Sequence, residues 1–344
     1  RGVILKKNIT YSDIAKYTNL STATISRYFN SPENLTKETS LLIENALKEL
    51  NYKKNKVAKI FSNGKTEFIG IIAPKLELHF YSYLLNSILN TYSRYGYKFL
   101  VFTSNGNIDE EKEYIDELLA YQIEGLIMIS SCITSIQLKD YNIHIVGIER
   151  ESKYISSVDT NNYLGASLAT NTLIENNCDV LIHINSPISE EIPSIDRIKA
   201  FENICLDKNI EHMVFYEVFN NDISDTTSKL FNIFKKIEAK YNGKKIGVFL
   251  SNDTLANYFI KILVKNNKSI PDDYEVIGFD DSPAAIESFI PLTSIKQDVN
   301  KITQNTLSIL TEGIKINRKN KKGCLRVNKH VVIDPTIVKR ESTL

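Results

Sequence analysis

Thr10-Tyr11-Ser12-Asp13-Ile14-Ala15-Lys16-Tyr17-Thr18-Asn19-Leu20-Ser21-Thr22-Ala23-Thr24-Ile25-Ser26-Arg27-Tyr28-Phe29-Asn30 decides how the amino-terminal region folds. Thr10 is a capping residue with Asp13 three positions on, so a helix is predicted from Thr10 to Tyr17, with Ile14 and Ala15 facing inward. Thr18-Asn19-Leu20 makes the turn, and Asn19 stands where a left-handed backbone is wanted, which Asn tolerates better than most residues. Ser21 then caps a second helix, Thr22 to Asn30, with Ile25 and Phe29 four apart on its inner face. Ala15 is small enough to let the two helices approach closely. A third helix is predicted from about Thr36 to Leu50, with Leu42, Ile43, Ala46, Leu47 and Leu50 at helical spacing. Three short helices with a tight start to the second make a helix-turn-helix head. The exposed face of the second helix offers Thr22, Ala23, Ser26 and Arg27. Hydroxyls near a helix N-terminus suit phosphate oxygens, and Arg forks onto guanine O6 and N7.

Charge supports that reading. The 344-residue chain has a net charge of only +1, yet residues 1 to 66 carry twelve Lys/Arg against five Asp/Glu, leaving −6 on the rest. A basic head on an acidic body suits a chain that docks one end on a polyanion. The composition, 42% hydrophobic and 24% charged, is that of a globular protein of two or three domains. No apolar run reaches the ~18–20 residues of a membrane span, and Arg1 to Lys7 holds too few apolar residues for a signal peptide. Four widely spaced cysteines (Cys132, Cys178, Cys205, Cys324) read as buried thiols of a cytoplasmic protein, not as a disulfide frame or zinc site.

Beyond Gly64-Lys65-Thr66 the pattern changes to strand-length apolar runs alternating with amphipathic helices. Phe68 to Ile72, Lys98 to Phe102, Gly125 to Ile129 and Ile143 to Ile148 read as buried parallel strands. The rhythm restarts with Val180 to Ile184, Met213 to Tyr216, Ile246 to Leu250 and Glu275 to Phe279. Two such series predict two doubly wound parallel-sheet lobes, with ligand held at the carboxyl ends of the strands. Arg197 follows Asp196 just before Ala200-Phe201, Asn252 follows one strand and Asp280 ends another. Planar forks and carboxylates of this kind bracket vicinal hydroxyls, as a sugar requires.

The ordered string of motifs resembles LacI/GalR repressors. It runs through Asp13-Ile14-Ala15-Lys16, Leu20 to Arg27 and Phe29-Asn30, then Glu49-Leu50-Asn51-Tyr52 and Asn55-Lys56-Val57-Ala58-Lys59, and on to Gly64-Lys65-Thr66 and Ile69-Gly70-Ile71-Ile72. The resemblance covers the whole head and, more loosely, the body. It implies a helix-turn-helix head over residues 8–54, a hinge helix and linker over 55–66, and a two-lobed effector-binding and dimerisation domain over 67–344. The first lobe is expected at about 67–163 and 297–322, the second at about 164–296 and 323–344. Late crossovers are expected to return Val299 to Thr311 to the first lobe and to put the last strand, near His330 to Thr336, in the second.

The resemblance also assigns residues. Thr22 and Ala23 fall at the paired specificity positions and Arg27 at the base-reading arginine, while Ser21, Thr24, Ser26 and Asn30 match phosphate-contacting positions. Thr36 and Thr39 are expected to do the same at the third helix, with Thr10 in the same set. Val57 to Ser62 corresponds to the hinge helix, where Val57, Ala58 and Lys59 enter the minor groove and Phe61 is the apolar wedge. Arg197, Asn252 and Asp280 match the effector positions. From the first lobe, Phe80 and Tyr81 correspond to cleft-lining aromatics and Glu149 to a ligand-contacting acid. Leu76-Glu77-Leu78-His79 stands where Asn-Pro-Phe-Phe is common in the family, so Lys75, His79 and Glu149 suit something other than a plain hexose.

The expected protein is therefore a homodimeric, operator-binding repressor switched by a small molecule. A sugar leads, and a nucleobase or phosphorylated metabolite follows. No metal or cofactor is called for, and Glu341 to Leu344 brings no leucine heptads to join dimers into tetramers. Two rivals are an enzyme on a doubly wound fold and a plain solute-binding protein. The chain lacks a Gly-x-Gly-x-x-Gly run, a phosphate loop, a Gly-x-Ser-x-Gly elbow and a His-Glu-x-x-His pair, and its five histidines are scattered. The basic head speaks against the second rival.

Overall fold

The computed structural model describes residues 9–52, 66–74, 76, 78–187, 192–219, 222–319 and 328–344. The expected hinge helix, with Val57, Ala58, Lys59 and Phe61, lies outside the described residues, as do Lys75, Glu77 and Cys324. Two compact units divide at Lys65/Thr66.

In the first unit three helices, α1 (Tyr11–Thr18), α2 (Thr22–Asn30) and α3 (Lys37–Glu49), surround a small core of Ile14, Ala15, Ile25 and Ile43. Tyr11 stacks on Phe29 with ring centroids 5.0 Å apart and closes one side of it. Each start is fixed by a hydroxyl. Thr10 forms a reciprocal capping box with Asp13, Ser21 accepts from the Thr24 backbone N–H at 3.1 Å, and Thr36 accepts from that of Thr39 at 3.2 Å. Asn19 takes the left-handed conformation with φ 55°. Removing the α1 cap by Thr10→Ala is expected to lower head stability by about 1 kcal/mol, read from urea unfolding followed by circular dichroism. An unchanged midpoint would show that the box contributes nothing.

The second unit has two six-stranded sheets. The first-lobe sheet comprises β1 (Phe68–Pro74), β2 (Lys98–Ser104), β3 (Gly125–Ile129), β4 (His144–Ile148), β5 (Ser156–Thr160) and β11 (His330–Ile333). Its order is β11-β5-β4-β3-β1-β2, parallel throughout. The second-lobe sheet comprises β6 (Val180–Asn185), β7 (Glu211–Tyr216), β8 (Ile246–Leu250), β9 (Tyr274–Asp280), β10 (Thr293–Lys296) and β12 (Thr336–Val338). Its order is β12-β10-β9-β8-β6-β7, with only β12 antiparallel. The central strands β3, β4, β6, β8 and β9 are buried along their whole length, as strands covered by helices on both faces must be. Gly278 in β9 allows a close approach. A Cβ there would stand 2.4 Å from Asp253 Oδ1.

Two expectations need correction. The run His330 to Thr336 does not belong to the second lobe as one strand. His330–Ile333 pairs in parallel with Ser157–Thr160 of the first sheet, and the chain enters the second sheet only at Thr336. Asp334-Pro335 interrupts the run, and Pro has no N–H for a ladder, so one apolar stretch becomes two short strands on either side of a crossover. The helix Val299–Lys319 does pack on the first lobe, with Val299, Ile302, Leu307 and Leu310 in its core. The second correction concerns the thiols. Cys178 and Cys205 are buried, and burial pushes both up to about 12, but Cys132 is exposed. The buried Glu111 carboxylate accepts the N–H groups of Cys132 and Ile133 and fixes the loop after β3, leaving the Cys132 side chain outside.

Candidate effector cleft and nucleic-acid interface

On the head, Thr22, Ala23 and Arg27 are exposed along α2. Asn30 Nδ2 donates to Ser26 Oγ at 3.3 Å, and Ser21 Oγ lies 2.9 Å from Thr24 Oγ1. Ser21, Thr24, Ser26 and Asn30 therefore form two local pairs on the helix that carries Arg27. Thr36 and Thr39 are paired in the same way at the start of α3, at 2.8 Å. The Thr10 hydroxyl differs, since it both accepts from the Asp13 N–H and donates to Asp13 Oδ2 at 2.7 Å. Its first task is the cap.

The two lobes are joined by three crossovers, at Thr160 to Asn162, Lys296 to Asp298 and Ile333 to Thr336. The polar residues expected to hold a ligand gather where these crossovers meet the carboxyl ends of the strands. Arg197, on the helix Ile195–Asp207, is buried; its Nε donates to Asn162 Oδ1 at 2.6 Å and its Nη1 to the Ser251 carbonyl at 2.6 Å. Its guanidinium carbon stands 3.5 Å from the Phe279 ring centroid, a cation–π contact that orients the fork. Asp280 ends β9 with φ 113°, followed by Asp281 at φ 49°. Two consecutive side-chain residues in that region cost about 1–3 kcal/mol each, the kind of strain found at ligand clamps. Gln297 Nε2 donates to Asp280 Oδ1 at 2.7 Å, and Gln297 Oε1 accepts the Thr160 hydroxyl. One carboxylate is thereby tied to two crossovers.

Burial dominates the electrostatics. It raises the Asp280 carboxyl well above the usual range, nearby Asp253 pushes the same way, and Arg197 opposes both. Burial also lowers Arg197, against the support of Asp280 and Glu149. Asp253, at the head of the helix Asp253–Lys265, is pushed up to about 7 by burial despite accepting from Ser294 Oγ at 2.5 Å and from the Ser282 N–H at 2.7 Å. Charge in this region is poorly solvated, so a ligand hydroxyl meeting it gains a strong partner.

The first-lobe residues divide. Phe80 is 5% exposed and packs in the core with Ile69, Ile71 and Leu84, so it does not line the cleft. The helix His79–Leu89 turns positions 80 and 84 onto the sheet together, which directs Tyr81 elsewhere. Tyr81 donates to Ser130 Oγ at 3.1 Å and lies within electrostatic reach of Asp280, Arg197 and Glu149. Glu149 is buried with φ 50°; it accepts the Thr160 N–H through Oε1 and Asn162 Nδ2 at 3.1 Å through Oε2. Its carboxylate is engaged in fixing a crossover. Asn252 caps its helix by accepting the Leu255 N–H at 2.9 Å, which leaves the amide N–H group as its donor end.

Asn162, Gln297, Thr160 and Phe279 complete this constellation and were not singled out by sequence reasoning. Asn162 and Gln297 each sit one or two residues past the end of a short strand rich in Ser and Thr, and position beyond a strand's carboxyl end was the signal that would have found them. Beside the constellation, at the same end of the lobes, lies a cavity of about 450 Å³ reached by Asn252, Thr254, His79 and Asp222.

Comparisons with known proteins agree with this anatomy. Residues 10–55 match the family described as bacterial regulatory proteins, lacI family. Residues 66–179 match periplasmic binding proteins and sugar binding domain of LacI family, and residues 170–343 match the periplasmic binding protein-like domain. A ribose operon repressor of Halalkalibacterium halodurans is 28% identical over 292 residues, 84% of this chain and 86% of its own length. A sucrose operon repressor of Streptococcus mutans is 28% identical over 308 residues, 88% of this chain and 92% of its own. Among solved structures, a lac repressor dimer bound to operator and an anti-inducer superposes with a TM-score of 0.83 at 20% identity, covering 98% of this chain and 100% of the other.

Proposed function

Because the chain belongs to the lacI family of bacterial regulatory proteins, we propose that it is a cytoplasmic, homodimeric repressor of sugar-utilisation genes whose operator affinity is switched by a sugar in the interlobe cleft. The observation that carries this reading is the joining, in one chain, of a helix-turn-helix head to a buried Arg197 and Asp280 pair wired into the lobe crossovers. In this reading Thr22, Ala23 and Arg27 read base edges. Ser21, Thr24, Ser26, Asn30, Thr36 and Thr39 hold phosphates, with Thr10 beside them, and Val57, Ala58, Lys59 and Phe61 belong to the hinge. Arg197, Asn252, Asp280 and Tyr81 meet the ligand, and Glu149 supports them by fixing the crossover. The protein performs no chemistry on its ligand; binding free energy alone drives the switch. Among the described residues no helix is long and apolar enough to cross a membrane.

The test is a gel shift on duplexes selected from a random pool, repeated with a sugar panel. Tight, sequence-selective binding that one sugar changes supports the reading. Equal affinity for selected and random DNA overturns it.

One head reads too few base pairs for genomic specificity, so two copies are needed on a near-palindrome. The second lobe offers a surface for this pairing. Phe289 is 74% exposed and Ile286 67% exposed, two apolar side chains available to be covered by a second copy. Phe289→Asp is expected to turn the dimer into a monomer in light scattering at micromolar concentration and to weaken operator binding. A dimer unchanged by this substitution places the interface elsewhere.

A further inference from the structure

The end of β9 is held from several sides, and one of the holds comes from the last residues of the second sheet. Asp280 and Asp281 both have positive φ, at 113° and 49°, and neither is a glycine. A backbone in that state persists only where its surroundings fix it. Gln297 Nε2 donates to the Asp280 carboxylate at 2.7 Å, Ser294 Oγ accepts the Asp281 N–H at 3.0 Å, and Asp253 Oδ2 accepts the Ser282 N–H at 2.7 Å. A further hold is Arg340, whose Nη2 donates to Asp281 Oδ1 at 2.6 Å.

Arg340 does more than pair with a carboxylate. Its Nη1 donates to the Leu292 carbonyl at 2.8 Å, just before β10 begins. Its backbone N–H donates to Thr293 Oγ1 at 2.8 Å, and that hydroxyl stands 3.1 Å from the Arg340 carbonyl. The guanidinium therefore bridges the end of β9 and the start of β10, closing both ends of the connection that carries the helix Pro283–Ile286. A planar fork serves two acceptors in fixed directions, which the point charge of a lysine does not. The pair is enclosed, the Asp281 side chain being 9% exposed and that of Arg340 17%. Lys296 Nζ also lies 3.5 Å from Asp281 Oδ2, but it is half exposed and contributes little.

Place in the chain gives this arginine its meaning. Arg340 follows β12 by two residues, and β12 begins where the third crossover enters the second lobe. Asp280 is already tied through Gln297 to the other two crossovers. With the Asp281–Arg340 pair, all three crossovers bear on two consecutive residues.

We propose that Arg340 is a positioning residue for the effector anchor: through Asp281 it fixes the direction of the Asp280 carboxylate and ties it to the third crossover. Arg340 acts on the ligand only through Asp280. The inference rests on the reading of Asp280 as the sugar-holding acid and adds what keeps that acid aimed.

The experiment uses the full chain with Arg340→Gln, Asp281→Gly and the two combined. Glycine keeps positive φ without strain, so Asp281→Gly removes only the carboxylate. Isothermal titration with ribose, sucrose, glucose and galactose reads the anchor, and thermal unfolding without sugar reads the fold. Hydrogen exchange over residues 278–284 reads the end of β9 with no ligand at all. Each single variant is expected to bind the sugar ~10-fold more weakly than wild type, and the double variant no more weakly than either, because both remove one interaction. Arg340→Lys is expected to recover part of that loss. In an Asp280→Asn background, Arg340→Gln is expected to cost less than ~2-fold, since the group it aims is already altered. A merely structural residue would not fall silent there. Exchange over 278–284 is expected to quicken while β8 keeps its wild-type rate and the unfolding midpoint stays within the range of the Asp281→Gly variant. Losses that multiply in the double variant, exchange that quickens across the whole second lobe, or a sugar affinity untouched by both single variants overturns the inference and leaves the sugar reading intact. If none of these sugars binds wild type, the sugar reading falls for them and exchange decides: release confined to 278–284 supports the brace, and unchanged exchange overturns it.

Discussion

Asp280→Asn is expected to fold, to bind operator at wild-type affinity without ligand, and to lose most of the effector response. Asn tolerates positive φ about as well as Asp, so the strained end of β9 is preserved. Its Oδ1 can still accept from Gln297 Nε2, so the tie to the Thr160 and Gln297 crossovers survives. What changes is the other end of the side chain, where a carboxylate oxygen becomes an N–H donor that faces ligand hydroxyls with the wrong polarity. A ligand moves a two-state equilibrium only through its differential affinity for the two states, and a shift from 1:99 to 99:1 needs about 5.5 kcal/mol of it. Losing one charge-assisted hydrogen bond in a buried site removes about 1.5–3 kcal/mol of binding, which leaves about 2.5–4 kcal/mol of that differential and a much weakened switch. Saturating effector would relieve repression only in part if it is an inducer, and establish it only in part if it is a corepressor. The measurement is operator affinity with and without saturating effector, for both proteins in parallel. A variant that keeps the full wild-type response removes Asp280 from the site and most of the case for the cleft.

The sequence made the head legible almost to the residue, because its signals are local. Thr10, Ser21 and Thr36 are caps by chemistry alone, Asn19 is the one residue in its turn suited to a left-handed backbone, and Ile14, Ile25 and Ile43 are spaced to meet. The buried central strands were equally plain as apolar runs. The strands that escaped notice were β5 and β10, short segments rich in Ser and Thr without the apolar signature, and β12, only three residues long. They matter more for their number than for their burial, since β5 and β10 lead directly into Asn162 and Gln297. Phe80 shows the converse failure. Its aromatic character suggested a cleft wall, but helical phase decided the matter and sent it to the core beside Leu84. Residue type announces what a side chain can do, while only the register of its element says where it does it.

That distinction also frames the last expectation, at the other end of the molecule. Arg27 is exposed on α2, one turn beyond Thr22 and Ala23 at the helix start. If α2 lies in the major groove, Arg27→Ala removes a bidentate fork to guanine, and specific affinity should fall by about 1–3 kcal/mol with preference relaxed at one base pair of each half-site. In a dimer the loss is taken twice, which makes it the largest effect expected of any single substitution in the head. Random DNA should be affected far less, since an exposed cation among many contributes chiefly one counterion to the salt dependence. Lys59→Ala provides the contrast. As a basic residue of the expected hinge it should weaken binding to all sequences alike and flatten the salt slope. The two variants are compared on the selected duplex, on a duplex altered at the relaxed position, and on random DNA across a salt series. Equal weakening of all three duplexes by Arg27→Ala would demote Arg27 to a phosphate contact and shift the reading of bases to Thr22 and Ala23.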